Sequence, residues 1–331
     1  MKFRAALLAL MAITSPMIST PAQSATLSIG VVYDIGGRGD RSYNDAAAAG
    51  LALAQQKIGF TVDAVVTDGT SADRDKRVRS LISKGCNPIV VIGSGFGPTL
   101  QTIAIEFPNI SFAILNDASV PALNVNSLIF NQKQGAFIAG YAAALSTKTN
   151  KVAMIATAAQ ADIYQDGFLA GVLASKKAVA SQVKYVSGSS STVTKQLMSD
   201  GVDVIFVGRP GSNNDIFSAI VARNVANAKV KNYKTVGMIS IEPDQYITVT
   251  SATKKYLLAS IVNRVDIAMF DFITHASTGT TTLDILDPIA GIYGHRYNLS
   301  SGVELRSYSA TLKSSSKALS QAALAAQKLS H

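Results

Sequence analysis

An α/β fold of two doubly wound parallel-sheet lobes joined by a hinge is the class this sequence predicts. Three observations carry it. Short apolar runs of strand length recur along the chain, helical patterns alternate with them, and the alternation falls into two groups with no Pro-, Gly- or Ser-rich linker between. Such strands, alternating with helices, make parallel sheets covered on both faces. About 300 residues also exceed one ordinary core.

Strands are expected at 27–32, 61–66, 88–92, 111–115, 127–130, 151–155, 183–186, 202–207 and 233–239, and helices at 45–57, 72–84, 98–107, 132–146, 164–175, 192–200, 214–227 and 251–275. The first strand runs into Tyr33-Asp34-Ile35-Gly36-Gly37-Arg38-Gly39-Asp40-Arg41-Ser42-Tyr43-Asn44-Asp45, a turn whose glycines let the backbone bend sharply and approach a ligand. Ser42 and Asp45 stand as S-x-x-D, a capping box for the Ala-rich helix that follows. The second strand ends in Asp68-Gly69-Thr70 with Asp73, the third in Gly93-Ser94-Gly95-Phe96-Gly97, and the fourth in Asn116-Asp117. Residues 187–194 read as a surface loop. Gly208-Arg209-Pro210-Gly211-Ser212-Asn213-Asn214 ends a strand of the second half, and the Ala-rich tail after Lys313 reads as a closing helix. The chain is expected to cross between lobes near Phe130-Asn131 and again over 246–250. The first lobe then holds 26–131 plus 250–280 and the second 132–249 plus 281–331.

Residues 1–25 fall outside this pattern. Lys2 and Arg4, the apolar run from Ala5 to Ile13 and the small residues up to Ala25 form a secretory signal peptide cleaved near residue 25. The run is far short of the ~20 residues that span a bilayer. A periplasmic or secreted protein is expected. Cys86 is the one cysteine, read as a buried thiol that packs like a small hydrophobe. It gives no disulfide and no cysteine at the cleavage site to carry a lipid. His275, His295 and His331 lack ligand spacing, so no metal site and no cofactor are expected. The formal charge is +9, but the basic residues are scattered rather than interleaved with aromatics, so nucleic acid is not an expected partner.

Ligands of open α/β sheets bind beyond the carboxyl ends of the strands, and a cleft between two lobes suits a small molecule. The candidates there are Asp34, Tyr43 and Asn44 after the first strand, Gly95 and Phe96 after the third, Asp117 after the fourth, and Gly208 in the second half. Phe96 either fills its loop or walls the cleft. No nucleophile, base and acid assemble into a catalytic set. Asp34, Asp40 and Asp117 leave a glycosidase-like pair of carboxylates as the enzyme alternative.

The blocks D-I-G-G-R-G-D-R-S-Y-N-D (34–45), D-G-T-S-A-D (68–73), I-G-S-G-F (92–96), F-P-N-I-S-F-A-I-L-N-D (107–117), N-V-N-S-L-I-F-N-Q-K-Q-G-A-F-I-A-G-Y-A-A-A-L-S (124–146), G-F-L-A-G (167–171), D-V-I-F-V-G (203–208), E-P-D-Q-Y (242–246) and T-S-A-T-K (250–254) resemble the basic membrane protein family of ABC-importer receptors. These are periplasmic-binding-protein-like purine nucleoside receptors. The resemblance implies a two-lobed type I binding protein, monomeric, that delivers its ligand to a membrane permease. It implies that Asp34, Asn44 and Asp117 bond to the base. Tyr43 stands where the family has phenylalanine as one face of an aromatic clamp, with Phe206 the candidate for the opposite face or a core residue. Lys254 and Gly208 fall on the ribose side. The family's G-V-D aspartate is missing from Gly237-Met238-Ile239-Ser240-Ile241-Glu242, where Glu242 or Ser240 substitutes or the pocket takes a free purine base. A nucleoside hydrolase and a sensory receptor are the other readings of such a chain.

Overall fold

The computed structural model describes residues 27–209, 213–242, 244–279 and 284–329; the expected signal peptide (1–25) and the 210–212 part of the second-half loop lie outside them. Chain order explains the architecture. The first pass lays down β1 (Ser28–Tyr33), α1 (Tyr43–Ile58), β2 (Thr61–Val66), α2 (Ser71–Ser83), β3 (Ile89–Val91), α3 (Gly97–Glu106), β4 (Phe112–Leu115) and β5 (Val125–Phe130). The second lays down α4 (Gln132–Ser146), β6 (Lys151–Ala156), α5 (Ala161–Ala174), β7 (Ala180–Tyr185), α6 (Ser191–Ser199), β8 (Val204–Gly208), α7 (Asn214–Ala226), β9 (Gly237–Ile241), the one-turn helices α8 (Gln245–Thr248) and α9 (Ser251–Lys254), and β10 (Leu257–Asn263). The chain returns with α10 (Val265–Ser277), β11 (Asp284–Asp287) and β12 (Ile292–Tyr297), then finishes with β13 (Val303–Ser307), α11 (Ala310–Ser314) and α12 (Ser316–Ala326).

Two sheets result, ordered β11-β12-β5-β4-β3-β1-β2 and β13-β10-β9-β8-β6-β7. All described pairings are parallel except β11 with β12 and β13 with β10. The central strands are largely apolar because helices cover both faces: β4, β5, β8 and β9 are buried at every position, Asn126, Ser127 and Ser240 included. Close backbone contact joins α4 to α5. A Cβ on Gly140 would stand 2.1 Å from the Phe168 carbonyl oxygen, and one on Gly171 1.9 Å from that of Phe137. Cys86 is buried, as expected.

The two-lobed α/β class holds, with three corrections to its internal order. Residues 251–275 are not one helix. They form α9, the strand β10 and α10, because 257–262 is an apolar stretch broken only by Ser260, and its length and β-branched Ile261 and Val262 suit a central strand. The chain crosses between lobes at 130–132, 263–265 and 297–303, and not at 246–250, where α8 lies inside the second lobe. Consequently β10 belongs to the second sheet, whereas β11 and β12 extend the first by pairing onto β5. Alternation of strands and helices does not reveal these exchanges, because a returning strand joins whichever edge is open.

In each sheet the strand order reverses once, at β1/β3 in the first lobe and at β6/β8 in the second. Beyond the carboxyl ends of strands at such switch points the loops diverge and leave a crevice.

Candidate functional site

The β1–α1 turn is held in shape by its own acids. Asp40 accepts the main-chain N–H groups of Ser42 (2.8 Å), Asn44 (3.0 Å) and Asp45 (3.1 Å). Asp45 in turn accepts those of Gly39 (2.7 Å) and Arg41 (2.8 Å), bonds that hold its carboxyl below the ordinary range. The Ser42 capping box is therefore corrected. Ser42 is at the N-cap but makes no side-chain cap bond. Asp40 answers the orphan donors instead, with a charge of the sign the helix N-terminus favours.

Asp34 stands at the carboxyl end of β1. Asn44, buried, fixes its main chain: the amide oxygen accepts Asp34 N–H (3.0 Å) and the amide nitrogen donates to Asp34 O (3.4 Å). The Asp34 carboxylate pairs with Arg74 of α2 (3.3 Å), a residue sequence reading missed. The guanidinium lies over the Phe96 ring at 5.2 Å, and Phe96 is buried in the first lobe's core. Of its two readings, Phe96 thus fills the loop and supports Arg74. The glycines make room for the pair. A Cβ on Gly93 (φ 107°) would fall 2.7 Å from Asp34 Oδ2, and one on Gly95 2.5 Å from Arg74 Nη2. Beyond β4, Asp117 accepts Ser119 N–H (2.7 Å), while its neighbour Asn116 adopts φ 62°.

Glu242 approaches this crevice from the other lobe, at the end of β9. Its carboxyl is buried, and its backbone φ is 21°, a sparsely populated conformation for a residue with a side chain. It accepts hydrogen bonds from Gln132 Nε2 (2.5 Å) and from Asn263 Nδ2, which also donates to the Tyr43 oxygen (2.8 Å). No cation pairs with it among the described residues. Burial pushes its pKa up, and burial beside that acid pushes Tyr43 well above the ordinary phenol value. Ser240, the other substitute considered, is instead bonded inside the sheet to Ser260 (2.9 Å).

Asp34, Asp40, Tyr43, Asn44, Gly93, Ser94, Asn116 and Glu242, with Ile35 and Ile92, line an open cavity of about 280 Å³. It sits beyond the β1/β3 switch point, with Glu242 as its contribution from the second lobe. None of these lining residues is basic.

The remaining candidates lie apart from it. Phe206 is buried in β8, stacked on Phe168 (5.7 Å, 16°) and edge-on to Tyr164 (6.3 Å). It therefore packs in the second lobe's core and does not line the cavity opposite Tyr43. Gly208 accommodates that aromatic group, since an added Cβ would meet Phe206 and Tyr164 at 3.3 Å. Lys254 Nζ lies 4.8 Å over the Tyr246 ring, itself stacked on Tyr308 at 4.1 Å. Arg209 is tied to Asp215 (2.8 Å), Asn213, Ser190 and the Gly188 carbonyl. Arg74, Gln132 and Asn263 join the site unforeseen. Gln132 and Asn263 could have been found only as polar residues where the chain changes lobes.

The family model described as ABC transporter substrate-binding protein PnrA-like (Bmp) matches residues 27–320. The chain is 30% identical over 278 residues to the CD4+ T-cell-stimulating antigen of Listeria monocytogenes, covering 77% of this chain and 75% of that one. It is 24% identical over 272 residues to the ABC transporter nucleoside-binding protein BmpA of Lactococcus lactis, covering 76% of each. Its fold is similar to that of an ABC transporter solute-binding protein from Conexibacter woesei, with a TM-score of 0.67 at 16% identity over 92% of this chain and 98% of the other.

Proposed function

The chain belongs to the Bmp family of PnrA-like ABC transporter substrate-binding proteins, and we propose that it is an exported receptor holding a purine nucleoside or free purine base between its lobes for delivery to a membrane permease. The cavity at the first lobe's switch point carries this reading. It offers a flat ring, Tyr43, among hydrogen-bond acceptors, Asp34, Asn116 and Glu242. Stacking an aromatic on a base contributes about 1–3 kcal/mol, and the acceptors read N–H and O–H donors that stacking ignores. Glu242, reaching in from the second lobe, is suited to sugar hydroxyls, which favours a nucleoside. The nucleoside-binding relative from Lactococcus lactis points to the same ligand class.

A thermal-shift screen of protein denatured and refolded to strip bound ligand tests the reading. Ligands that bind only the folded state raise the melting temperature. Adenosine, guanosine or inosine are expected to do so, with adenine and hypoxanthine testing the free-base case. A response confined to sugars refutes the purine assignment, and free base accumulating from a nucleoside would make the protein a hydrolase. Asp34→Ala should weaken binding about 5- to 150-fold, the ~1–3 kcal/mol of a donor left unpaired. Unaltered affinity would move the site elsewhere.

A further inference from the structure

The two carboxylate oxygens of Asp34 are not equivalent. Oδ1 receives Arg74 Nη2 at 3.3 Å. Oδ2 has no donor among the described residues, and it stands beside Gly93, where an added Cβ would fall 2.7 Å from it. Gly93 lines the cavity and Arg74 does not. The open oxygen is thus the one next to a lining residue, while the guanidinium holds the other from outside the lining.

Arg74 is fixed for this contact from several sides. Its side chain is largely buried, and its guanidinium lies over the buried Phe96 ring at 5.2 Å. Gly95 leaves room for Nη2, since a Cβ there would stand 2.5 Å from that atom. The acids flanking Arg74 on α2 are engaged elsewhere, Asp73 with Arg77 and Asp75 with Arg79. A carboxylate with both oxygens open takes two parallel donors. With Oδ1 committed to an arginine, Asp34 offers one. Asp40 does not supply the missing acceptor, because helix-end amides engage both of its oxygens.

We propose that Arg74 determines specificity by making Asp34 a single-oxygen acceptor, so that the cavity reads one N–H donor on a purine edge and gains nothing from a second beside it. The inference rests on the purine reading above and deepens it by naming the ligand class. Hypoxanthine, with N1–H, and adenine, with its 6-amino group, present one donor at such an edge. Guanine presents N1–H and the 2-amino group as a parallel pair, and half of that pair goes unread. Arg74 acts here through Asp34, as a positioning residue.

Inosine and guanosine differ only by the 2-amino group, so the ratio of their affinities reports the second acceptor and cancels a general loss of binding. Titration calorimetry of wild type stripped of bound ligand is expected to give guanosine no advantage over inosine. Arg74→Met frees Oδ1, and the guanosine-to-inosine affinity ratio should rise about tenfold, the worth of one hydrogen bond to a charged acceptor. Gly95→Ala pushes Nη2 off Oδ1 while leaving both side chains of the pair in place, and it should shift the ratio the same way. Should Arg74→Met fail to fold, Gly95→Ala decides alone. A wild type that binds guanosine tenfold more tightly than inosine overturns the inference, as does an unchanged ratio in a variant that still binds inosine. If wild type binds no purine nucleoside, the purine reading fails and this inference falls with it.

Discussion

Gly93 and Gly95, two positions apart in one strand-end loop, should respond very differently to alanine. At Gly93 the backbone is at φ 107°, ψ 150°, a region populated essentially by glycine alone and costing other residues about 1–3 kcal/mol. The new methyl would also stand 2.7 Å from Asp34 Oδ2, forcing the carboxylate off Arg74. Arg74 would then keep a guanidinium whose side chain is only 13% exposed, with Nε already lacking a partner. The ion pair is partly screened, since Asp34 is 35% exposed. Its loss adds nearer ~1 kcal/mol than the several of a fully buried pair. The sum, about 3 kcal/mol, corresponds to roughly 6–12 °C in the melting of a lobe of this size. Gly95 has no such backbone demand, and its added Cβ meets the far end of a flexible arginine. Gly95→Ala should therefore cost about 1 kcal/mol or less. Differential scanning calorimetry of the two variants decides the matter. Equal midpoints for both, or a Gly93→Ala midpoint equal to wild type, would refute this account of the loop.

Three further outcomes follow from the same geometry. Asp40→Ala should lower stability by about 0.5–2 kcal/mol, and Ser42→Ala by much less, because Asp40 is the acceptor for three helix-end amides; urea denaturation midpoints compare them. Glu242 has a folded pKa above its ordinary 4.5, so its stabilising contribution is complete below that value and is lost as pH rises through the folded pKa. Glu242→Gln should accordingly match wild type in acid and exceed it in stability at neutral pH, as read from melting temperature against pH. Nucleoside monophosphates should bind at least a hundredfold more weakly than nucleosides. A phosphate held about 4 Å from one lining carboxylate meets a repulsion of ~4 kcal/mol at an effective dielectric of 20, and calorimetry with adenosine and its monophosphate tests this.

The fold was legible where side-chain pattern reports burial directly. Apolar runs such as Ile29–Val32 and the Ala-rich α1 announce strand and helix because both faces of the sheet are covered. The same signal misled at 257–263, where a buried strand and a buried helix segment share one composition. The pairing of β12 onto β5 had no local mark at all. Of the residues lining the candidate cavity, Asp34, Tyr43 and Asn44 were marked by the polar turn after β1, and Glu242 only by the resemblance, as a substitute for the family's aspartate. Arg74 was hidden on the polar face of α2 between Asp73 and Asp75, where a surface pair explains it equally well. Phe206 was ambiguous for the opposite reason. Its strand is buried on both sides, and only Phe168 and Tyr164, distant in sequence, reveal that the ring packs in the core.

The formal charge of the chain and the charge of its cavity lining have opposite signs. A protein of formal charge +9 attracts anions from a distance. Yet the cavity wall is built from Asp34, Asp40 and Glu242 with no basic residue beside them in the lining. Long-range attraction is screened within about 8 Å at physiological salt, whereas the acids act at contact distance on whatever enters. On the proposed reading, selection falls to the cavity and not to the surface. Of the three acids, Asp40 is engaged by its helix and Asp34 by Arg74, which leaves Glu242 as the lining carboxylate held by neutral donors alone. On the proposed reading, a ligand donor that reaches Glu242 meets a buried acceptor whose present partners, Gln132 and Asn263, stand beside two of the interlobe crossovers.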